Sequence, residues 1–418
     1  MGNRVIRCAL VMVATVIIMG LTGCGNDGKN NSTKSVSSKP AVAYMIAHTA
    51  NAKQTDSSAP MLQDTMIDCA ENYGYSFIVR VDGEPELVSG ENLDIDTQFK
   101  NASKERLKID ARNKATNLLS VLDEVTAVYP EVDYLEGLRC AAASLRSLDD
   151  SYTSRTIICC GTGLGTTGYL DFKNNLLSAE PQVIVEMLEE REALPDLTGM
   201  TVYWLGMGQV TAPQEKLTPK QTKNLEAIWK AVVEAAGGEF VPNDYITVVD
   251  EIEQKDELPS VSVVDIPADK PFVFNPEVLE EKEDNAFEEP VMLGESQVEF
   301  IGDEANYLSP DDAVETIRPI AEYLVKHDSI NILLVGSTAG DVTDESTIRL
   351  SKERADTVKN TLVEFGIDTN RITTIGMGSD DPWHIKDAGY DGPVARSNRK
   401  VVLIDSRTDQ AQALINNH

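Results

Sequence analysis

The stretch from Asp250 to Pro290 does most to constrain this chain. It carries fourteen acidic residues against three lysines, with prolines interspersed. Like charges at that density repel one another, so the stretch reads as an extended or loosely packed linker, not part of a core. A linker there splits the 418 residues into two folding problems, as expected for a chain too long for one ordinary core. The organisation that follows is a signal segment at 1–23, a stalk at 24–39, a first domain at 40–250, the acidic linker at 251–294, a second domain at 295–406 and a tail at 407–418.

The N-terminus carries its own instruction. Arg4 and Arg7 precede an apolar run from Cys8 to Leu21 that stops at Leu21-Thr22-Gly23-Cys24. A basic start and a short apolar run read as a secretory signal, too short to span a bilayer comfortably. The break resembles the bacterial lipobox, which implies acylation (palmitate) of Cys24, cleavage before it, and an exported chain anchored to a lipid bilayer facing the cell wall. More than one acyl chain gives stable anchoring where a single chain does not. From Gly25 to about Lys39 the residues are Asn, Ser, Lys and Gly, a flexible stalk. The net charge of −31 argues against nucleic acid or anionic headgroups as direct partners. Of the cysteines after Cys24, Cys69, Cys140, Cys159 and Cys160, the last two sit in an apolar strand and read as packing. With no CxxC pair and four histidines, no zinc site and no cofactor are expected.

From Pro40 to Val249, strand-like runs (Ala43–Ala47, Ser76–Val81, Thr156–Cys160, Thr201–Leu205, Tyr245–Val249) alternate with helix-like ones. The helices are Glu105–Val125, Tyr134–Ser147, Pro181–Ala193 and Pro219–Ala236. That alternation predicts an α/β fold with a doubly wound, mostly parallel sheet. With its glycine loop Gly161–Gly168, it resembles a von Willebrand factor A-type domain. That family holds a divalent cation through Asp-x-Ser-x-Ser after the first strand. Here His48-Thr49-Ala50-Asn51-Ala52 stands at that place without those ligands, so no metal is expected. Gly163-x-Gly165-x-x-Gly168 superficially fits a dinucleotide fingerprint but follows a late strand, so nucleotide binding is not expected either. No Gly-x-Ser-x-Gly elbow is present, and His48, His327, His384 and His418 have no motif context; Trp204 and Trp229 read as packing. A non-enzymatic recognition module is therefore favoured over an enzyme housed here and localised by its anchors. The carboxyl edge of the sheet is the default site for its unknown protein or ligand.

The last domain shows strand Val298–Ile301, a helix capped by Ser309 with Pro310 at its first turn and the apolar stripe Ala313, Ile317, Ile320, Ala321 and Leu324, then strand Ile330–Val335. A helix from Thr347 to Phe365 stopped by Gly366, and strands Ile372–Ile375 and Val401–Ile404, complete a β-α-β-α-β-β order with an insertion at Trp383–Pro393. Leu350-Ser351-x-x-Arg354-Ala355, Phe365-Gly366-Ile367 with Arg371-Ile372, Gly376-x-Gly378 with Asp381-Pro382, and Asn398-Arg399-Lys400-Val401 stand in order. Together they resemble the OmpA-like, or Pal/MotB-like, peptidoglycan-binding domain. The resemblance implies a groove for the diaminopimelate of the peptidoglycan stem peptide, where an Asp receives the ligand's ammonium and an Arg fifteen residues later forks onto its carboxylate. Arg354 keeps the second role. Ala339 stands at the Asp position, and Ser337 replaces the family's His. Asp341 and Asp344 offer displaced carboxylates, and Asn398 and Arg399 belong to the closing motif. A stem peptide that needs no anionic partner, or a fold whose wall binding has lapsed with Arg354 left as an ion-pair partner, are the alternatives.

Overall fold

The computed structural model describes residues 38–52, 57–99, 101–241, 258–266, 271–281 and 285–418. Cys24 with its signal, the stalk up to residue 37, and the strand expected at Tyr245–Val249 lie outside them.

The first half builds β1 (Lys39–Ile46), α1 (Pro60–Glu71), β2 (Tyr75–Arg80), β3 (Glu86–Asn92), α2 (Lys104–Glu124), α3 (Tyr134–Arg146), β4 (Tyr152–Cys160), α4 (Pro181–Glu190), β5 (Met200–Leu205), α5 (Pro219–Ala235) and β6 (Glu239–Val241). Its six strands lie in the order β3-β2-β1-β4-β5-β6. Every neighbouring pair is parallel except β2 with β3. Alternate strand residues feed two cores, which is why the central strands read as unbroken apolar runs. Val42, Tyr44, Ile46, Ile78, Ile158 and Cys160 face α1 and α2. Ala43, Met45, Val79, Ile157, Cys159 and Trp204 face α3, α4 and α5. The four cysteines among the described residues are free, and the adjacent Cys159 and Cys160 point to opposite faces. Strand order runs outward in both directions from β1 and β4, so the switch point lies between their carboxyl ends, where Ile46 pairs with Cys160.

The second half continues with β7 (Phe272–Val273), α6 (Pro276–Glu281), β8 (Val291–Gly294), α7 (Pro310–Lys326), β9 (Ile332–Gly336), α8 (Glu345–Glu364), β10 (Ile372–Gly376), α9 (Pro393–Asn398), β11 (Lys400–Asp405) and α10 (Asp409–Asn416). The sheet order is β10-β9-β11-β8-β7. Ile332, Leu334, Val401 and Leu403 face α7 and α8. Leu333, Val335, Val402 and Ile404 face Trp383, Met377 and Ala411.

Four expectations are corrected here. Part of the acidic stretch is not a linker: Phe274, Ala286, Phe287, Val291 and Leu293 are buried, and β7 and β8 belong to the sheet. Net charge hid the apolar positions spaced between exposed acids. Val298–Ile301 forms no strand; Phe300 makes only an isolated bridge to Tyr307, and β8 takes the place beside β11. The residues after 406 are no loose tail, because α10, capped by Thr408, lays Ala411 on the sheet. At the start of α7, the Ser309 hydroxyl donates to the Asp312 carboxylate at 2.5 Å and caps no backbone N–H.

Candidate functional site: the β9–α8 loop and Arg354

Close approach of α8 to the sheet sets the geometry. A Cβ on Gly336, at the end of β9, would sit 1.9 Å from the Ser351 carbonyl oxygen, and one on Gly376, 2.2 Å from that of Ile348. Glycine at both places lets the helix rest on the strand ends. Ser351 Oγ then accepts from Gly378 N at 3.0 Å and donates to Ile348 O at 3.0 Å. The Leu-Ser and Gly-x-Gly motifs are thus two sides of one contact.

Arg354 follows one turn later and is buried, with 5% of its surface exposed. Its Nε donates to Glu304 O at 3.0 Å and Nη2 donates to Gly302 O, while the guanidinium lies 5.2 Å from the centre of the Phe300 ring. Burial and the nearby Arg399 guanidinium push Arg354 below its ordinary pKa, against the pull of Asp303 and Glu295. Arg354 therefore holds the 300–304 loop through backbone carbonyls. Among the described residues its Nη1 donors carry no bond.

The other expected site residues separate. Asp344 is the N-cap of α8: one carboxylate oxygen accepts Ser346 N at 2.8 Å and Thr347 N at 2.9 Å, and these bonds together with the Ser346 hydroxyl hold the carboxyl below its usual range. It caps the helix through Oδ1 while the side chain stays exposed. Asn398 is fully buried and clamps the insertion, accepting Ile385 N at 3.0 Å and donating to Ile385 O at 2.8 Å. Arg399 pairs with Glu295 at 3.0 Å and donates to Tyr390 O at 3.0 Å. Ser337 is buried at the end of β9, its N–H on Lys400 O. Asp341 and Asp344 are both exposed, and Asp341 Oδ1 lies 3.7 Å from His384 Nε2. Ala339 is buried beside it, and Tyr390 crowds the neighbouring Gly340, whose positive φ of 85° suits glycine.

Sequence reasoning missed the network behind this loop. Asp381 is wholly buried and accepts Trp383 N at 2.9 Å. Lys400 Nζ lies 3.5 Å from its Oδ1, and His384 Nδ1 lies 3.7 Å from its Oδ2. Burial would raise the Asp381 carboxyl, but Lys400 and His384 outweigh it and hold it below the usual range. Burial pushes the Lys400 ammonium down in turn, partly opposed by Asp381. Asn398 Nδ2 lies 3.2 Å from His384 Nε2 and closes the set. The Asp-Pro and Asn-Arg-Lys motifs were visible in sequence; the link between them through His384 was not, because His384 sits in an insertion with no periodicity. That insertion also meets the first half: Asn175 Nδ2 donates to Pro382 O at 3.1 Å and His384 O at 2.8 Å, and Ile385, Ala388 and Val394 join the first half's larger core. Among the described residues no group of three or more His, Cys, Asp or Glu side chains is placed to hold a metal.

Comparison with known proteins agrees with this site's motifs. A family model described as "OmpA family" matches residues 307–399. The peptidoglycan-associated lipoprotein of Haemophilus influenzae is 31% identical over 90 residues, 22% of this chain and 57% of that protein. The outer membrane porin F of Pseudomonas fluorescens is 32% identical over 66 residues, 16% of this chain and 20% of the porin. Across the curated relatives matched first, the chain spans 20% to 57% of their length. The crystal structure of the peptidoglycan-associated lipoprotein from Burkholderia pseudomallei matches at 25% identity over 26% of this chain and 86% of that one, with a TM-score of 0.23. Residues 307–399 are an OmpA-family domain at the C-terminal end of a mixed α/β chain.

Proposed function

We propose that this chain tethers the cell envelope to peptidoglycan: lipid on Cys24 at one end, the OmpA-family domain on the wall at the other, and a von Willebrand factor A-like module between them that recognises a protein or ligand. The reading treats the chain as a non-enzymatic anchor. The observation that carries it is Arg354, retained at the family's position on α8 with N–H donors left for a ligand carboxylate. Arg354 and Arg399 stand close enough to repel, with Glu295 a partial counterweight, so a bound carboxylate would be welcome there. Asp341, on the β9–α8 loop, is the carboxylate that would take the ligand's ammonium in place of Ala339. The names of the relatives, two of them peptidoglycan-associated lipoproteins, support the same role.

The test is co-sedimentation of the chain with purified peptidoglycan, with free diaminopimelate as competitor. The reading expects the chain in the wall pellet and its release by the competitor. A chain that stays in the supernatant with diaminopimelate-type and with other walls would refute it.

A further inference from the structure

The crevice at the switch point of the first sheet is filled by the chain itself. Open α/β sheets take ligands outside the carboxyl ends of their strands at such a point. Here the walls are the loop after β1 (Thr49, Asn51), the glycine loop after β4 (Thr162, Thr166) and Gln214 after β5. Residues 261–264 lie between them.

The contacts are those of a receptor with a peptide. The Gln214 carboxamide donates to Val264 O at 2.8 Å and accepts Val264 N at 2.8 Å, pairing with the main chain as a neighbouring strand would. Asn51 Nδ2 donates to Val261 O at 3.1 Å. Glu131 accepts Ser262 N at 3.2 Å and the Ser262 hydroxyl at 2.5 Å. Glu131 does so from a left-handed backbone, φ 71°, a conformation that costs free energy for a residue other than glycine. Val264 is buried in the core that holds Trp204 and Trp229. The cavity that remains is about 10 Å³, room for about one water molecule. Gln214 and Asn51 are both more than nine-tenths buried, and without a peptide their amides would lose these partners.

We propose that this crevice is a binding site for an extended peptide of the pattern Val-Ser-x-Val, that residues 261–264 are its intramolecular occupant, and that a partner's strand of that pattern takes the site when this strap leaves. The claim rests on the recognition role proposed for the first half and names its ligand class. Tethering sets an effective concentration on the order of 1 mM. If the strap's own affinity is about 10 µM, it weakens a free peptide about 100-fold.

The test uses a fluorescein-labelled peptide of residues 258–266 added to the full chain and read by anisotropy. Val264→Asp, which puts a charge into the pocket, and Ser262→Pro, which removes a donor N–H, should each free the site and tighten peptide binding about 100-fold over the unaltered chain. Adding Gln214→Ala to either should abolish that gain, and a peptide carrying Val264→Asp should not bind. On the unaltered chain, millimolar peptide should speed hydrogen exchange at residues 261–264, a readout that needs no variant to fold. Folded strap variants that bind no better than the unaltered chain, or exchange that the peptide leaves unchanged, would overturn the proposal. Wall pelleting of the same samples separates the two readings. Peptide binding lost with pelleting intact rejects the strap and leaves the tether standing; peptide binding intact with pelleting lost supports the strap alone.

Discussion

Replacing Asp381 by Asn should be among the most damaging conservative changes in the second half. The carboxylate and the Lys400 ammonium are both out of solvent, 3.5 Å apart, and without the charge on Asp381 the ammonium loses its counter-ion and keeps neutral acceptors such as the Trp383 carbonyl at 3.1 Å. Breaking a buried pair by removing one partner costs about 3–5 kcal/mol, whereas replacing both partners by neutral groups costs much less. Asp381→Asn should therefore lower unfolding free energy by that amount at pH 7. Lys400→Met should cost a similar amount, and the double variant clearly less than the sum. Urea unfolding of a soluble chain starting at residue 25 supplies the cycle. The pH dependence has a defined sign. The folded-state carboxyl lies below its unfolded value of about 3.9, so its stabilisation is present above that pH and is lost as pH falls through the folded value. The gap between the unaltered chain and Asp381→Asn should close in acid. A cost within about 0.5 kcal/mol at pH 7, the range of ordinary surface changes, or a gap that persists unchanged to pH 3, would refute this account of the network.

Gly336→Ala should prevent soluble folding or destabilise it severely, because its Cβ meets backbone, whereas Gly294→Ala, with open space, should be tolerated; soluble yield and circular dichroism separate them. Trp229→Phe removes the indole donor to Gly163 O at 2.8 Å and leaves a buried carbonyl unpaired, a loss of about 1–3 kcal/mol in urea unfolding. Cys24→Ser should abolish incorporation of labelled palmitate; unchanged labelling would remove the lipid anchor from the proposal.

Much of the architecture was legible because it is locally encoded. Central strands such as β1 and β4 are apolar on both faces, and α7 carries its stripe at helical spacing. What escaped was set by tertiary partners. The edge strand β3 is mostly exposed and polar, and only pairing with β2 makes it a strand. β8 lay inside a stretch whose mean charge concealed Val291 and Leu293. At the candidate site, motif spacing marked Arg354 and the aspartates, but only geometry tells a helix-capping Asp344 from an Asp341 that faces His384. Trp204 and Trp229 are core residues as their periodicity indicates, yet their indole N–H groups also hold the glycine loop through Gly161 O and Gly163 O.

The central claim is that Arg354 still receives a ligand carboxylate. A charge-assisted forked contact is worth roughly 1.5–3 kcal/mol, about a ten- to hundredfold change in affinity. The direct measurement is the affinity of the soluble chain for purified diaminopimelate-type peptidoglycan by quantitative pelleting, with Arg354→Ala, Arg354→Lys, Asp341→Asn and Ala339→Asp compared at equal folded content. The account predicts a ten- to hundredfold loss in Arg354→Ala, little recovery in Arg354→Lys because the fork is gone, weaker binding in Asp341→Asn, and tighter binding in Ala339→Asp. An unaltered chain that does not pellet, with binding appearing only in Ala339→Asp, would show that the site has lapsed and that the domain is a scaffold.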